Sequence, residues 1–189
     1  AIGFTVNPFI DTSWFRRYRF ISFQYNIYLP SISFFLIKQK IYAYVILELY
    51  YQYWIESGAP ASKLVMGMPL YGQAFTLDSP DEHGLNAPAR KKGAAGQFTK
   101  AAGFLAYYEI CRDIKQGGWN VVKDPEGRMG PYAHKGRQWV GYDDVETIRR
   151  KSQFVRDMGL GGGMVWALDL DDFRNDCGEG AHPLMNAIT

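Results

Sequence analysis

This sequence has few of the residues and patterns that identify several classes of protein. It contains two cysteines, three histidines and no C-x-x-C motif, so we expect no metal site. It has no run of about 18 uncharged apolar residues, so we expect no membrane-spanning helix. Neither sign of charge dominates, because 21 basic and 19 acidic residues leave a formal net charge of +2. That balance gives no reason to expect a nucleic acid or an anionic membrane as partner.

The remaining composition is that of a globular protein. With 189 residues, of which 47% are hydrophobic and 21% charged, the chain is long enough for one core. It begins at Ala1 without a basic-then-apolar leader, so no signal peptide is expected within it. We expect no cofactor and no obligate protein partner.

Residues 1–50 differ in composition from the rest of the chain. They are rich in Phe, Tyr and Ile, with one glycine, Gly3, and two acids, Asp11 and Glu48. The run has high strand propensity but no period of two. One interpretation is an aromatic-rich binding segment. The favoured one is sequence that did not evolve as part of a domain, such as translated non-coding sequence. Either way, we expect loose packing and, when unpaired, aggregation.

From residue 49 onward, apolar periodicity and turn residues predict regular elements. Gly58 closes the first helix, since glycine is a common residue just after a helix end. The elements predicted before residue 143 are the end of a helix at 50–57, a strand at 63–70, a short helix around 104–111, and a hairpin over 129–142 that turns at 134–136.

A further helix and strand are predicted after residue 142. Asp143 and Asp144 are interpreted as helix caps, with Asp143 and Glu146 at the spacing of a capping box. Gly159 ends this helix, and a strand follows at 163–168. The apolar face of the helix is predicted to consist of Val145, Ile148, Val155 and Met158.

The order of these elements predicts the α/β class. We expect two βα units of a parallel barrel, from residues 51–77 and 138–189, with an α+β insertion domain at 78–137. A closed eight-stranded barrel takes about 250 residues, so this one is predicted to be open and incomplete.

The two barrel strands are expected to lie side by side. Residues 64–68 and 164–168 are both continuous apolar runs, as strands covered on both faces require, so we expect parallel pairing. Because the barrel is predicted to be open, we also expect uncovered strand faces, which residues 1–50 would mask poorly if at all. Because parallel strands end on the same side, Tyr71 and Trp166 would lie at one rim.

Residues 161–173 are the most informative segment. Three glycines precede a short apolar strand that ends at Trp166, and the carboxylates Asp169, Asp171 and Asp172 follow. In α/β barrels the functional site is built at the carboxyl end of the strands. The segment therefore predicts polar chemistry beside an aromatic side chain.

Four segments form a set in chain order, at 58–72, 103–111, 138–144 and 161–173. Together they resemble the family 18 glycoside hydrolases, the chitinases and chitinase-like lectins, and their sequences are most similar to those of the arthropod chitinases. The resemblance implies a TIM barrel of which only the last two βα units are present. It also implies hydrolysis of β-1,4-linked N-acetylglucosamine polymers, with chitin or chito-oligosaccharide as partner. By this resemblance, segments 58–72 and 161–173 match the seventh and eighth barrel strands, and segments 103–111 and 138–144 match landmarks of the insertion domain.

One part of the family pattern is missing. The chitinases carry a D-x-x-D-x-D-x-E motif on the fourth strand, whose Glu is the general acid, and this spacing occurs nowhere in the chain. Strands one to six have no counterpart either, and Glu109 is interpreted as structural because it lies in the insertion domain. Losing a general acid lowers a rate by about 10²–10⁴-fold. We therefore expect no catalytic residue, and no hydrolysis of chitin by this chain alone.

The resemblance also implies a set of substrate-binding residues. Trp166 matches the tryptophan that forms the base of the subsite for the scissile sugar. Tyr71 matches a tyrosine that contacts the substrate, and core packing is its alternative role. Gln73 stands where vertebrate members have Arg, and Ala101 stands where they have Glu. Both charges are missing together, as expected if one ion pair has been lost. The implied substrate-binding residues are Trp166, Tyr71, Gln73, Met164 and Phe104.

The spacing of Cys111 and Cys177 alone leaves open whether they form a disulfide or stay as free thiols. The resemblance implies a disulfide that joins the insertion domain to the loop after the eighth strand. It further implies an oxidising compartment and a secreted or extracellular protein.

Three functional interpretations remain open at this point. The first is the C-terminal fragment of a chitinase. The second is a non-enzymatic chitin-binding lectin that uses Trp166 and Tyr71 as an aromatic surface. The third is a non-functional product. A transcript that encodes the missing acidic strand upstream of residue 50 would favour the first.

Overall fold

The computed structural model describes residues 48–188, and the predictions made for residues 1–47 lie outside the described residues. Between residues 48 and 188, no helix is long and apolar enough to cross a membrane. In this range the α-helices are α1 to α4, at residues 48–56, Tyr107–Gln116, Val145–Asp157 and Pro183–Asn186. The strands are β1 to β8, at Val65–Pro69, Tyr71–Leu77, Ala89–Lys92, Phe104–Ala106, Asn120–Val122, Tyr132–Lys135, Gln138–Gly141 and Gly162–Trp166.

β1 and β8 form a two-stranded parallel sheet, which confirms the predicted pairing. The register runs from Val65 opposite Gly162 to Pro69 opposite Trp166. Only one face of this sheet is buried. Met66 and Met68 lie in a core with side chains of α3 and α4.

The opposite face of the parallel sheet is open. Because side chains alternate along a strand, Val65 and Trp166 lie on the face away from Met66 and Met68, and they are 47% and 60% exposed. These exposed side chains agree with the uncovered strand face that was predicted for an open barrel.

The second sheet has six strands and is antiparallel throughout. Its strand order is β3-β2-β7-β6-β5, and β4 also pairs with β2. β2 and β7 precede and follow residues 78–137, so the sheet extends beyond the predicted insertion at both ends. The predicted domain boundaries themselves stay a prediction. The core of this sheet consists of Ala74, Leu105, Ile110, Ala133 and Val140.

The hairpin of β6 and β7 turns later than predicted. Its loop consists of Gly136 and Arg137. Gly136 has a φ of 54°, the left-handed conformation that favours glycine in a two-residue hairpin turn. The turn predicted at 134–136 is wrong because His134 stays in the ladder, opposite Trp139.

The predicted helix around 104–111 begins as a strand. Phe104–Ala106 pairs with β2 as β4, and α2 starts at Tyr107. The backbone N–H of Ala106 donates to Glu109 Oε2 at 3.0 Å, which holds the strand against the first turn of the helix. No turn residue separates the two elements, so the apolar pattern alone does not reveal the boundary.

The acid that caps α3 is Asp144. Its Oδ1 accepts a hydrogen bond of 2.9 Å from Thr147 N, which confirms one of the two predicted caps. The predicted capping box is wrong, because Thr147 occupies the third helical position and Glu146 pairs one turn further along the helix. Asp143 forms an ion pair with Lys151 instead of capping the helix.

The predicted apolar face of α3 is confirmed. Ile148 is fully buried, and Val145, Val155 and Met158 pack against the same core with partial burial. Gly159 follows the helix end with a φ of 59°, as glycine after a helix end is expected to do.

Candidate functional site

The candidate site lies at the carboxyl ends of β1 and β8. Trp166, the last residue of β8, is paired with Pro69 of β1, and the bond between Trp166 and Ala167 is a cis peptide. β1 passes almost directly into β2, so Tyr71 is only two residues beyond the partner of Trp166. The Trp166 side chain is 60% exposed, which leaves much of its ring accessible from solvent.

Tyr71 and Phe104 form a ring pair. Their centroids are 4.7 Å apart with an angle of 31° between the planes, and both side chains are half-buried. The pair results from the β2–β4 ladder, in which Tyr71 is opposite Ala106 and Gln73 is opposite Phe104. Tyr71 packs on Phe104 and keeps part of its surface in solvent, and its role as a substrate-contacting residue stays a prediction.

Gln73 and Met164 lie in different sheets, Gln73 beside the ring pair on β2 and Met164 on β8. Gln73 is exposed and lies on the same face of β2 as Tyr71, because side chains alternate along a strand. Met164 is half-buried and lies on the same face of β8 as Trp166, opposite Gly67. The structure thus brings Trp166 and Met164 together on β8, and Tyr71, Gln73 and Phe104 together on β2 and β4.

A hydrogen bond between the first residue of α2 and the segment after β8 was not predicted from the sequence. The Tyr107 hydroxyl donates a hydrogen bond of 2.6 Å to Glu179 Oε2. Burial, followed by this bond and the charge of Glu179, raises the pKa of Tyr107 far above its ordinary value. Tyr107 is therefore a permanent donor that fixes the loop carrying Glu179. The two residues are 72 positions apart, and no local pattern connects them.

Two acids that follow β8 are structural. Asp171 and Asp172 are fully buried. Asp171 Oδ2 accepts a hydrogen bond of 2.9 Å from Met185 N at the start of α4, and Asp172 Oδ2 accepts one of 2.7 Å from Cys177 N. The prediction of polar chemistry at this strand end therefore does not extend to these two carboxylates, which hold the C-terminal segment.

Cys111 and Cys177 form a disulfide with a Cα–Cα distance of 5.5 Å. The bond joins α2 to the segment after β8, which confirms the pairing that the resemblance implied. Both sulfurs lie close to the Asp172 carboxylate. They are committed to the disulfide, and the carboxylate accepts backbone N–H groups, so this cluster offers no set of free metal ligands.

Residues 37–171 match the sequence model of Glycosyl hydrolases family 18. This match covers more than half of the chain, and the chain belongs to that family. It is 63% identical over 136 residues to Probable chitinase 10 of Drosophila melanogaster, a match that covers 72% of this chain and 6% of that protein. It is 48% identical over 137 residues to Chitinase-3-like protein 2 of Homo sapiens, covering 72% of this chain and 34% of that protein.

Solved structures of the same family resemble the fold. Catalytic domain 2 of the Ostrinia furnacalis Group II chitinase, solved as a mutant in complex with a chito-oligosaccharide, has a TM-score of 0.71 at 50% identity, over 73% of this chain and 36% of that chain. Human YKL-39, described as a pseudo-chitinase with retained chitooligosaccharide binding, has a TM-score of 0.69 at 47% identity, over 75% and 38%. The chain thus spans little more than a third of these structures.

Proposed function

We propose that this chain is the C-terminal part of a chitinase catalytic domain, and that by itself it binds chito-oligosaccharides without cleaving them. The observation that carries the proposal is the exposed ring of Trp166 at the carboxyl end of a parallel strand. Membership of family 18 supports it. Further support comes from two solved neighbours, the Ostrinia furnacalis domain in complex with a chito-oligosaccharide and human YKL-39 with its retained chitooligosaccharide binding.

The fold that accompanies this proposal is an incomplete TIM barrel. β1 and β8 would be its last two strands, and the six-stranded sheet with α2 would be the insertion domain. A parallel sheet is normally covered on both faces, whereas the face with Val65 and Trp166 is open. The remaining strands of the barrel would cover that face.

The site suits an N-acetylated sugar chain. The flat face of Trp166 can remove the apolar face of a pyranose from water, which is the main favourable contribution that an exposed ring can make. The Tyr71 hydroxyl and the Gln73 amide supply donors and acceptors for sugar hydroxyl or acetamido groups. Phe104, packed on Tyr71, limits the orientations of that ring.

The proposal that this chain does not cleave the sugar rests on the burial and hydrogen bonding of its carboxyl groups. Glycoside hydrolysis needs a carboxylic acid placed to protonate the leaving oxygen. Asp171 and Asp172 are fully buried and accept backbone hydrogen bonds, and Glu109 is 4% exposed with both oxygens bonded. The acidic motif of the family does not occur in the sequence.

A non-enzymatic chitin-binding lectin is the second candidate, and the same exposed Trp166 favours it. The two candidates differ in the parent chain, which either carries the acidic strand or lacks it, and an upstream transcript sequence distinguishes them. Secretion belongs to both proposals and is supported by the disulfide, because such bonds persist in oxidising compartments.

Binding to insoluble chitin tests the proposed function. We expect Trp166→Ala to lower the bound fraction strongly. The matched control is Trp54→Ala, which removes another exposed tryptophan, 39% accessible on α1, and should leave binding unchanged. Equal binding by both variants and the parent chain would contradict the proposal.

A further inference from the structure

Glu109 is the centre of a hydrogen-bond network behind the candidate site. Its side chain, on the first turn of α2, is 4% exposed. Oε1 accepts hydrogen bonds from Phe98 N at 2.6 Å and Thr99 N at 3.0 Å. Oε2 accepts from Thr99 Oγ1 at 2.8 Å and from Ala106 N at 3.0 Å. Both carboxylate oxygens are therefore fully used by donors.

This network reaches both ends of β4. Ala106, the last residue of β4, is held directly by Glu109. Phe104, the first residue, is reached through Thr99, whose hydroxyl lies 3.3 Å from Phe104 O as well as 2.8 Å from Glu109 Oε2. The single hydroxyl proton is shared between these acceptors, with the shorter contact to the carboxylate.

The register of β4 decides where the Phe104 ring lies. β4 has three residues and three pairs with β2, which is few for a stable ladder. A slip of one residue would turn Phe104 to the opposite face of the sheet, and the 4.7 Å contact with Tyr71 would be lost. Two further backbone hydrogen bonds flank the ladder, from Ala74 N to Gly103 O at 3.0 Å and from Tyr107 N to Leu70 O at 3.1 Å. The Glu109 network adds side-chain contacts at both ends of the strand.

We infer that Glu109, acting through Thr99, is a positioning residue that holds Phe104 against Tyr71 for sugar binding. This inference rests on the proposed function. The alternative, an acid that donates a proton, does not fit the electrostatics. Burial favours the neutral form, but hydrogen bonds from Phe98, Thr99 and Ala106 outweigh it and lower the pKa of Glu109 below its ordinary value. The group stays ionised and accepts hydrogen bonds.

Gly96 independently shows that the loop packs closely against the Glu109 carboxylate. A Cβ at this position would lie 2.4 Å from Glu109 Oε1, far inside contact distance. Glycine therefore lets the loop pass close to the carboxylate. The chain offers a matched glycine, Gly84, at which an added Cβ would meet nothing within 4 Å.

The experiment compares four variants with the parent chain. Thr99→Val removes the hydroxyl while keeping the shape of the side chain. Thr99→Ser keeps the hydroxyl and removes only the methyl group. Gly96→Ala displaces the carboxylate, and Gly84→Ala is its control. For each, the affinity for chito-pentaose is measured by titration, and the amide hydrogen exchange of β4 is measured without ligand.

We expect Thr99→Val to weaken chito-pentaose binding about fivefold, as loss of one hydrogen bond would, with a larger loss for Gly96→Ala. Both should exchange the β4 amides faster than the parent. Thr99→Ser should recover most of the affinity, and Gly84→Ala should match the parent in both measurements.

Three results would overturn the inference. The first is unchanged exchange in β4 for both Thr99→Val and Gly96→Ala. The second is faster exchange with unchanged affinity, which would separate the network from sugar binding. The third is equal loss in Thr99→Ser and Thr99→Val. If the parent chain itself does not bind chito-pentaose, the proposed function fails and the role in sugar binding fails with it, while the exchange data still decide whether the network fixes β4.

Discussion

Leu70 N donates a hydrogen bond of 3.0 Å to Trp166 O. Leu70 O in turn accepts one of 3.1 Å from Tyr107 N at the start of α2, and Leu70 is fully buried. Because buried backbone groups need partners, this residue fixes the point where the parallel sheet, the second sheet and α2 meet. The backbone of Trp166 is thus fixed by a hydrogen bond from Leu70, the residue before Tyr71, while the Trp166 ring stays exposed.

The disulfide should contribute strongly to stability. It closes a loop between residues 66 positions apart, and the chain-entropy model gives about 4 kcal/mol for a loop of that size. We expect Cys111→Ser with Cys177→Ser to lower the urea midpoint, and reduction of the parent chain to do the same. Two thiols that react with an alkylating reagent in the folded, non-reduced protein would contradict the bond.

Asp144 contributes to α3 in two ways, as a helix cap and as a charge, and two substitutions can separate these contributions. Asp144 caps the helix and also lies 2.7 Å from Lys123 Nζ. Asp144→Ala should cost about 1 kcal/mol or more of the free energy of unfolding, and Asp144→Asn, which keeps a capping oxygen, should cost less. Equal losses in urea unfolding would mean that the ion pair with Lys123, rather than the cap, provides the stabilisation.

Mild acid should destabilise the second sheet through His134. Its ring stacks on that of His83 with centroids 3.8 Å apart, and the Tyr132 ring lies 6.3 Å away. Burial, and then the charge of His83, lowers the pKa of His134 below the ordinary 6.5. Above pH 6.5 both states are neutral and the full stability is present. As the pH falls below 6.5, the unfolded chain binds the proton first, so stability is lost until the lower, folded pKa is passed.

Urea midpoints at neutral and mildly acidic pH measure this effect. The parent chain should lose stability between them, and His134→Gln should lose less, because its side chain does not titrate. A pH dependence that is identical in the two proteins would show that other groups cause it.

Long periodic segments were predictable from the sequence. The parallel pairing of β1 and β8 followed from two continuous apolar runs, and α3 followed from an apolar face with an acid at its start. Both rest on local patterns that repeat over several residues. The disulfide came from the resemblance, since spacing alone left Cys111 and Cys177 undecided.

The features that depend on distant contacts were not predictable. β4 is a strand only because β2 lies beside it, and its apolar sequence fits a helix equally well. From the sequence, Asp171 and Asp172 are predicted to contribute to the site, and only their burial in the structure shows otherwise. The prediction that Glu109 is structural agrees with its burial and its hydrogen bonds, but nothing local indicates that its partners are Phe98 and Thr99.

The central claim, binding of chito-oligosaccharide without cleavage, is tested most directly by one NMR experiment. The chain is mixed with chito-pentaose, and saturation transfer from protein to sugar is recorded together with the anomeric signals over a day. We predict transfer to the sugar protons, loss of that transfer in Trp166→Ala, and constant anomeric signals. New reducing-end signals that grow in proportion to the protein, or no transfer with the parent chain, would contradict the account.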